Sequence, residues 1–490
     1  MSQTPVIRTR VFEWSLIVIL VVYFVLGGLF AVLIPPWQTP DEPAHYNYVR
    51  QLAQTGAYPV IAVGDYNQDL ISNQIAPPNA RPTVSLDGVQ YEDHQPPLFY
   101  TLAVPVFLIF NGALIPLRLF SLFVGAFVIV FAFLAVRVIF PAHPFIAALA
   151  TVFIAFLPQH LHMMAGFNND SLSEALIALT VYLSVRLIIR IGGQEHRRTG
   201  GQEDRRNLPL LLRSISSAPL LLLSIVVGLA FLTKAQAYLA LPVAVFALFV
   251  SGYRKETLSR VLLSIGVLIV IAGVIGAPWW IHGLQVYGGT DVLGLQRHNL
   301  VVAGQPTTAE WIAQYGWGGL LSRMGQFTFQ SFWGQFGWMS IVIDRRFYIL
   351  FLAITAISTV LFMAWWAHGL SAKRRLKGKT ETSTGASIYS PWLVLTREQT
   401  LALDMLAVLA LGALLGFIWY NLQFVQHQGR YLYSGLIPIG VGLSLGWHFI
   451  FSRKPLALRI QGWLWLVMLL AFIALDAHML FRVILPAMRG

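Results

Sequence analysis

The chain of 490 residues has no cysteine. Disulfide staples, thiolate nucleophiles and cysteine-ligated metal sites are therefore excluded, and redox usage says nothing about the compartment. Charge is also scarce. Asp, Glu, Lys and Arg make up 11% of the residues against 57% hydrophobic, where a soluble domain carries about 25% charged. Period-2 alternation is missing too, which excludes a transmembrane β-barrel. Acidic residues are the rarer sign, 21 against 33 basic, for a net charge of +12. That excess needs no nucleic-acid partner, because lysine and arginine accumulate on cytoplasmic loops and at lipid headgroups.

Long apolar runs dominate the chain. They lie at 14–34, 97–112, 117–139, 144–164, 171–190, 215–233, 237–252, 260–279, 347–367, 401–420, 433–451 and 461–481, most of them near the roughly 20 residues that cross a bilayer. The expected fold is an all-α polytopic membrane protein, one transmembrane domain over 1–490. The first run follows Arg8 and Arg10, is too long for a signal-peptide core and lacks a small-residue cleavage site, so it reads as a retained span. If 97–112 crossed, the basic stretches 191–213, 254–260, 373–379 and 453–459 would all face outward, against the positive-inside rule. That run is short and holds Pro96, Pro97 and Pro105 at or near its start and middle. It is read as an interfacial helix, leaving about 11 spans, the N-terminus in the cytoplasm and the C-terminus outside. About two-thirds of the 33 Lys and Arg residues then lie inside. Two large external segments result, 35–115 and 280–346, and the chemistry is expected there, at the outer face of the cytoplasmic membrane.

The first of them opens with TPDEPAHYNYVRQLAQTG. Asp41 and Glu42 followed by Pro43 suit the start of a helix whose Ala44, Tyr48 and Leu52 face inward and which Gly56 ends. Carboxylates beside a membrane outlet, with His45 at i+4 from Asp41, also suit a divalent cation or a base, and the local pattern leaves both open. A second acidic stretch, QHLHMMAGFNNDSLSEAL, sets Asp170 at the start of a span. There Ser171 and Glu174 have capping-box spacing, and His160 and His162, two apart, favour packing over ligation.

TPDEPAHYNYVRQLAQTGAYPV, followed by YEDHQPPLFYTLAVPVF, resembles the GT-C glycosyltransferases, notably the aminoarabinose and protein O-mannosyl transferase branch. The PDEPAH wording is nearer still to a group of poorly characterised bacterial membrane proteins beside that superfamily. The resemblance implies an outward-facing cavity for a polyprenyl-phosphate-linked sugar donor, inversion at the anomeric carbon, and an acidic first-loop residue at the reaction centre, often with a divalent metal such as Mg or Mn. Carried over by position, Asp41 matches the catalytic acidic position, as a base or metal-linked residue, Glu42 is its neighbour and Asp170 the second acidic position, with Asp41 and His45 as metal ligands. The basic residue that some members place before PPL is absent, which leaves His94 for the phosphate. Lys234 in FLTKAQAYLALP and Arg430 in QGRYLYSGLIP lie at span ends on the external side and also match segments of these transferases. Both suit a phosphate, and cations placed there are functional candidates by default. Trp317, Phe327, Phe332, Trp333, Phe336 and Trp338 read as an interfacial aromatic belt or a donor groove.

Transfer from a lipid phosphate needs one base and neutralisation of the leaving phosphate, so the two-carboxylate spacing of glycoside hydrolases is not required. The expected partners are the polyprenyl-phosphate sugar, membrane lipids and a lipid, glycan or protein acceptor that the sequence does not name. A transporter would show repeated halves, and none is found. A glycan polymerase or ligase would rest on late-loop arginines such as Arg297, Arg345 and Arg346. A noncatalytic GT-C scaffold would bind the donor without turnover.

Overall fold

The computed structural model describes residues 14–67, 69, 86–193, 218–253, 257–302, 304–377, 395–452 and 455–489. The basic stretches that set the threading lie largely outside these residues. Among the described residues the regular structure is helical apart from one short antiparallel pairing, Gln335–Phe336 with Ile341–Val342, and an isolated bridge between Thr307 and Phe424. It is an all-α, multi-pass membrane fold.

The helices follow from the apolar runs. The first span is α1 (Ser15–Leu33); α2 (Glu42–Thr55) and α3 (Leu98–Ile109) come next, then α4 (Leu114–Ile139). Next are α5 (Pro144–Phe156) and α6 (Pro158–Met164), bent 65° to each other where Pro158 interrupts the ladder. They are followed by α7 (Asp170–Gly193), α8 (Ala218–Phe231), α9 (Ala240–Gly252), α10 (Leu258–Tyr287) and α11 (Leu295–Val301). The chain then forms α12 (Thr308–Trp333), α13 (Arg345–Lys377), α14 (Arg397–Tyr420), α15 (Leu436–Phe451) and α16 (Pro455–His478). Among the described residues nine helical segments are long and apolar enough to cross a membrane, ten with the bent pair α5–α6. The expected eleventh, 215–233, is the 14-residue α8. Over 97–112 the chain forms α3, whose 12 residues rise about 18 Å, well short of the roughly 30 Å hydrocarbon core.

Lipid offers no hydrophobic drive between helices, so association depends on close backbone approach and polar contacts. Small residues mark the contacts. A Cβ on Gly446 of α15 would stand 2.8 Å from the Phe362 amide nitrogen and 3.1 Å from the Ser358 carbonyl oxygen of α13. The outward faces stay apolar and exposed, as at Val21, Val25, Leu352 and Val360, which in a bilayer is a solvated state. One large core joins α1, α4, α5, α7, α15 and α16, and a second joins α8, α9 and α10.

Two local expectations are corrected. Ser171 and Glu174 do not form a capping box: the helix begins at Asp170, the Ser171 hydroxyl donates to the Asn168 carbonyl, and the Glu174 carboxylate lies 3.0 Å from His160 Nε2. A buried histidine is the stronger partner for a buried acid. The aromatic run 317–338 is not one interfacial belt. Trp317 is exposed, whereas Phe336 is buried and Trp333 stacks on Phe351 at 4.5 Å inside the bundle. Gly446→Ala should destabilise the α13–α15 crossing by about 1–3 kcal/mol through overpacking against backbone, read as a lower unfolding midpoint in detergent.

Candidate active site

The chain leaves α1 through a turn in which Trp37 and Asp41 both adopt left-handed backbone, φ 67° and 66°. Such conformers cost energy in non-glycine residues and persist only where surroundings hold them. Glu42 supplies the hold. Its side chain is fully buried and accepts the Trp37 and Phe167 amides, at 3.0 and 3.1 Å. Arg118 Nε and Nη2 each donate to it at 2.7 Å, a bidentate pair. The same guanidinium donates to the carbonyls of Ala31, Ile34 and Pro35. Glu42 is thus sealed: Arg118 is 2% exposed and Glu42 0%. No oxygen is left for a substrate, so its catalytic assignment becomes a positioning one.

Asp41 occupies the N-cap position of α2 yet makes no side-chain cap. Its carboxylate turns instead to distant partners. Tyr91 donates to Oδ1 at 2.7 Å and Arg430 Nη2 to Oδ2 at 2.6 Å. The rest of α2 is as the sequence reads: Ala44, Tyr48 and Leu52 are buried, and Gly56 ends the helix at φ 68°. Burial pushes the Asp41 carboxyl up, but the Arg430 guanidinium, His45 and the bonds from Tyr91 and Arg430 outweigh it and hold it at about 2. At neutral pH it is ionised.

A parallel pair stands beside it. Lys234 Nζ donates to Asp170 Oδ1 at 2.6 Å. Both cations ride on helix breaks. Lys234 is an extended residue, φ −166° and ψ 152°, between α8 and a 3-10 turn, Ala235–Leu239. Arg430 lies in the 3-10 turn Gly429–Gly435 ahead of α15. Gly429 allows this seat: a Cβ there would fall 2.3 Å from the Phe332 amide nitrogen. Burial works against the Lys234 ammonium, yet Asp170 and Glu92 raise it above the ordinary lysine value. Glu92 belongs to the same cluster. It accepts from Gln95 Nε2 at 2.8 Å, and burial raises its carboxyl. Asp41, Arg430, Lys234 and Asp170 keep 20, 9, 17 and 14% of their side chains exposed. The four groups are thus mostly buried but not sealed from solvent.

The structure therefore brings Asp41, Asp170, Lys234 and Arg430 together and adds Glu92, Tyr91 and Arg118, which the sequence reading did not single out. His94 has a different setting. It is buried against His298 at 4.6 Å, with Nδ1 on the Tyr91 carbonyl, and burial followed by His298 pushes it well below the ordinary histidine range. A neutral imidazole is a weak anion partner. Arg345 and Arg346 are exposed at the start of α13.

Asp41, Asp170 and His45 are the residues that would hold a Mg or Mn ion, which takes one or two carboxylates and completes its shell with water and substrate phosphate. Both Asp41 oxygens and one of Asp170 are held by other groups, and His45 Nδ1 lies 2.7 Å from the Tyr100 hydroxyl. Among the described residues no three His, Asp or Glu converge as ligands.

The turn bearing Arg430 also walls a second space. A mostly apolar cavity of about 1360 Å³ opens between α12, α13, α14 and α15, lined by Phe329, Phe332, Trp333, Phe362, Trp365 and Leu432 among others. Leu432 is two residues from Arg430.

No family model matches the chain, and no curated protein does. Among solved structures the chain is similar to ArnT from Cupriavidus metallidurans bound to undecaprenyl phosphate, with TM-score 0.48 and 14% identity over 97% of this chain and 73% of that one. The apo ArnT structure gives TM-score 0.47 and 14% identity over 96% and 73%.

Arg118→Met should cost about 3–5 kcal/mol of stability by stranding Glu42, and the double variant Arg118→Met/Glu42→Gln should recover part of it. Unfolding midpoints in detergent read both effects. Asp93 offers a pH test. Burial, then Asp65 and Glu92, raise its carboxyl to about 8 from 3.8. Its contribution to stability is fully present below pH 3.8, where the unfolded chain is protonated too, and is lost progressively as pH rises to about 8. Asp93→Asn should therefore flatten the decline of the unfolding midpoint between those limits.

Proposed function

We propose that the chain is a GT-C type glycosyltransferase that moves a sugar from a polyprenyl-phosphate donor to a lipid, glycan or protein acceptor at the outer face of the cytoplasmic membrane, with the N-terminus inside. The observation that carries this reading is the pairing of two carboxylates, Asp41 and Asp170, with two cations, Arg430 and Lys234, none of them sealed from solvent. The apolar cavity two residues from Arg430 supports it further, because a polyprenyl tail needs such a wall beside its phosphate.

The chemistry follows from those groups. The acceptor hydroxyl oxygen forms a bond to the anomeric carbon while the carbon–oxygen bond to the phosphate breaks, inverting that centre. The hydroxyl proton passes to the Asp41 carboxylate. The phosphate monoester leaves with its added charge against Lys234 and Arg430, the latter able to donate bidentately. Asp170 keeps Lys234 placed, and Glu42 keeps Asp41 placed.

Deletion of the protein should leave one polyprenyl-phosphate sugar accumulated and the same sugar missing from surface glycans, both read by mass spectrometry. Complementation with Asp41→Asn, produced at the level of the native protein, should reproduce the deletion, since loss of the base lowers transfer about 10²–10⁴-fold. Full restoration by that variant would sink the reading.

A further inference from the structure

Two arginine–carboxylate pairs in this protein differ in completeness. Arg118 meets Glu42 through Nε and Nη2, both at 2.7 Å, and spends its remaining donors on three carbonyls. Arg430 meets Asp41 through Nη2 alone, and its buried Nε has no acceptor. A guanidinium left with an unmet buried donor is poised for a ligand with two oxygens on one centre. Asp41 itself is held from the other side by Tyr91, which keeps the carboxylate in place if the guanidinium turns away. Lys234 is in the same condition. Its ammonium, with three donors, makes one bond, to Asp170.

We propose that Asp41 and Asp170 act as counter-ions standing in for the donor phosphate, so that donor binding is an exchange of partners that uncovers Asp41 as the base. This inference rests on the phosphate reading of Arg430 and Lys234. While these ion pairs hold, the two cations are neutralised and Asp41, paired with Arg430, is a poor proton acceptor. A phosphate bridging Arg430 and Lys234 completes the Nε contact and takes Arg430 away from Asp41. The freed carboxylate, still bonded to Tyr91 and now beside an anion and Glu92, is a stronger base. The acceptor proton therefore has a destination only after the donor is seated, which orders the two substrates.

The test needs neither the sugar nor the acceptor. Undecaprenyl monophosphate is titrated against the purified full chain in detergent, and the free-energy coupling between competing partners is read as affinity. Asp41→Asn and Asp170→Asn should each bind it more tightly, about 5–100-fold. Arg430→Gln should bind it more weakly, and in Arg430→Gln/Asp41→Asn the gain from Asp41→Asn should vanish, because there is no cation left to uncover. A misfolded variant cannot produce tighter binding. Wild-type binding that is unchanged or weaker in both Asn variants overturns the exchange and leaves the phosphate reading standing. Absence of wild-type binding overturns the phosphate reading and the exchange with it.

Discussion

The ion pair between Glu42 and Arg118 is the constraint on which the rest of the site depends. Two buried charges in a low-dielectric interior are tolerable only when every lone pair and proton is matched, and here they are, by two amides, three carbonyls and each other. The match joins the end of α1, the start of α2, the loop before α7 and the start of α4. It is what lets Trp37 and Asp41 keep left-handed backbone, and that backbone turns Asp41 away from its own helix. The same residue pair, Asp-Glu, thus divides its labour: one carboxylate fixes the loop, the other is presented by it.

Lipid as solvent explains the plan around this centre. Helices that gain little from burying apolar faces come together through glycines and through polar contacts at their ends. The polar ends are where helices break, at Leu157, at Lys234 and ahead of α15, and the interior polar cluster collects there. Backbone that is not helical at such depth is tolerated only when it faces protein or a water-reachable space, and the exposure retained by Asp41, Lys234 and Asp170 is in keeping with that.

Much of this was legible in the chain. Apolar run lengths marked every helix that is long and apolar enough to span among the described residues. Asp41, Asp170, Lys234 and Arg430 were marked by their places at span ends, and the structure sets them in two ion pairs. Their partners were not, because Asp41 and Arg430 lie 389 residues apart and no local pattern records such a contact. Arg118 was missed although it carried a signal: an arginine inside an apolar run is costly unless paired. Glu92 stood in a quoted motif without a reason to prefer it to its neighbours. Ser171 and Glu174 misled because capping spacing is local, and His160, buried fourteen residues upstream, outcompeted it.

Lys234 and Arg430 are carried on an extended residue and a 3-10 turn rather than within α-helices. A side chain inside a spanning helix can shift its base only by breaking ladder hydrogen bonds that lipid will not replace. At these two breaks a modest change in φ and ψ moves the cation while the flanking helices stay whole. The two positive charges thereby sit on joints with no α-helical ladder to break, and the sealed acid sits in a fully matched seat, so the frame and the exposed charges are mechanically separate.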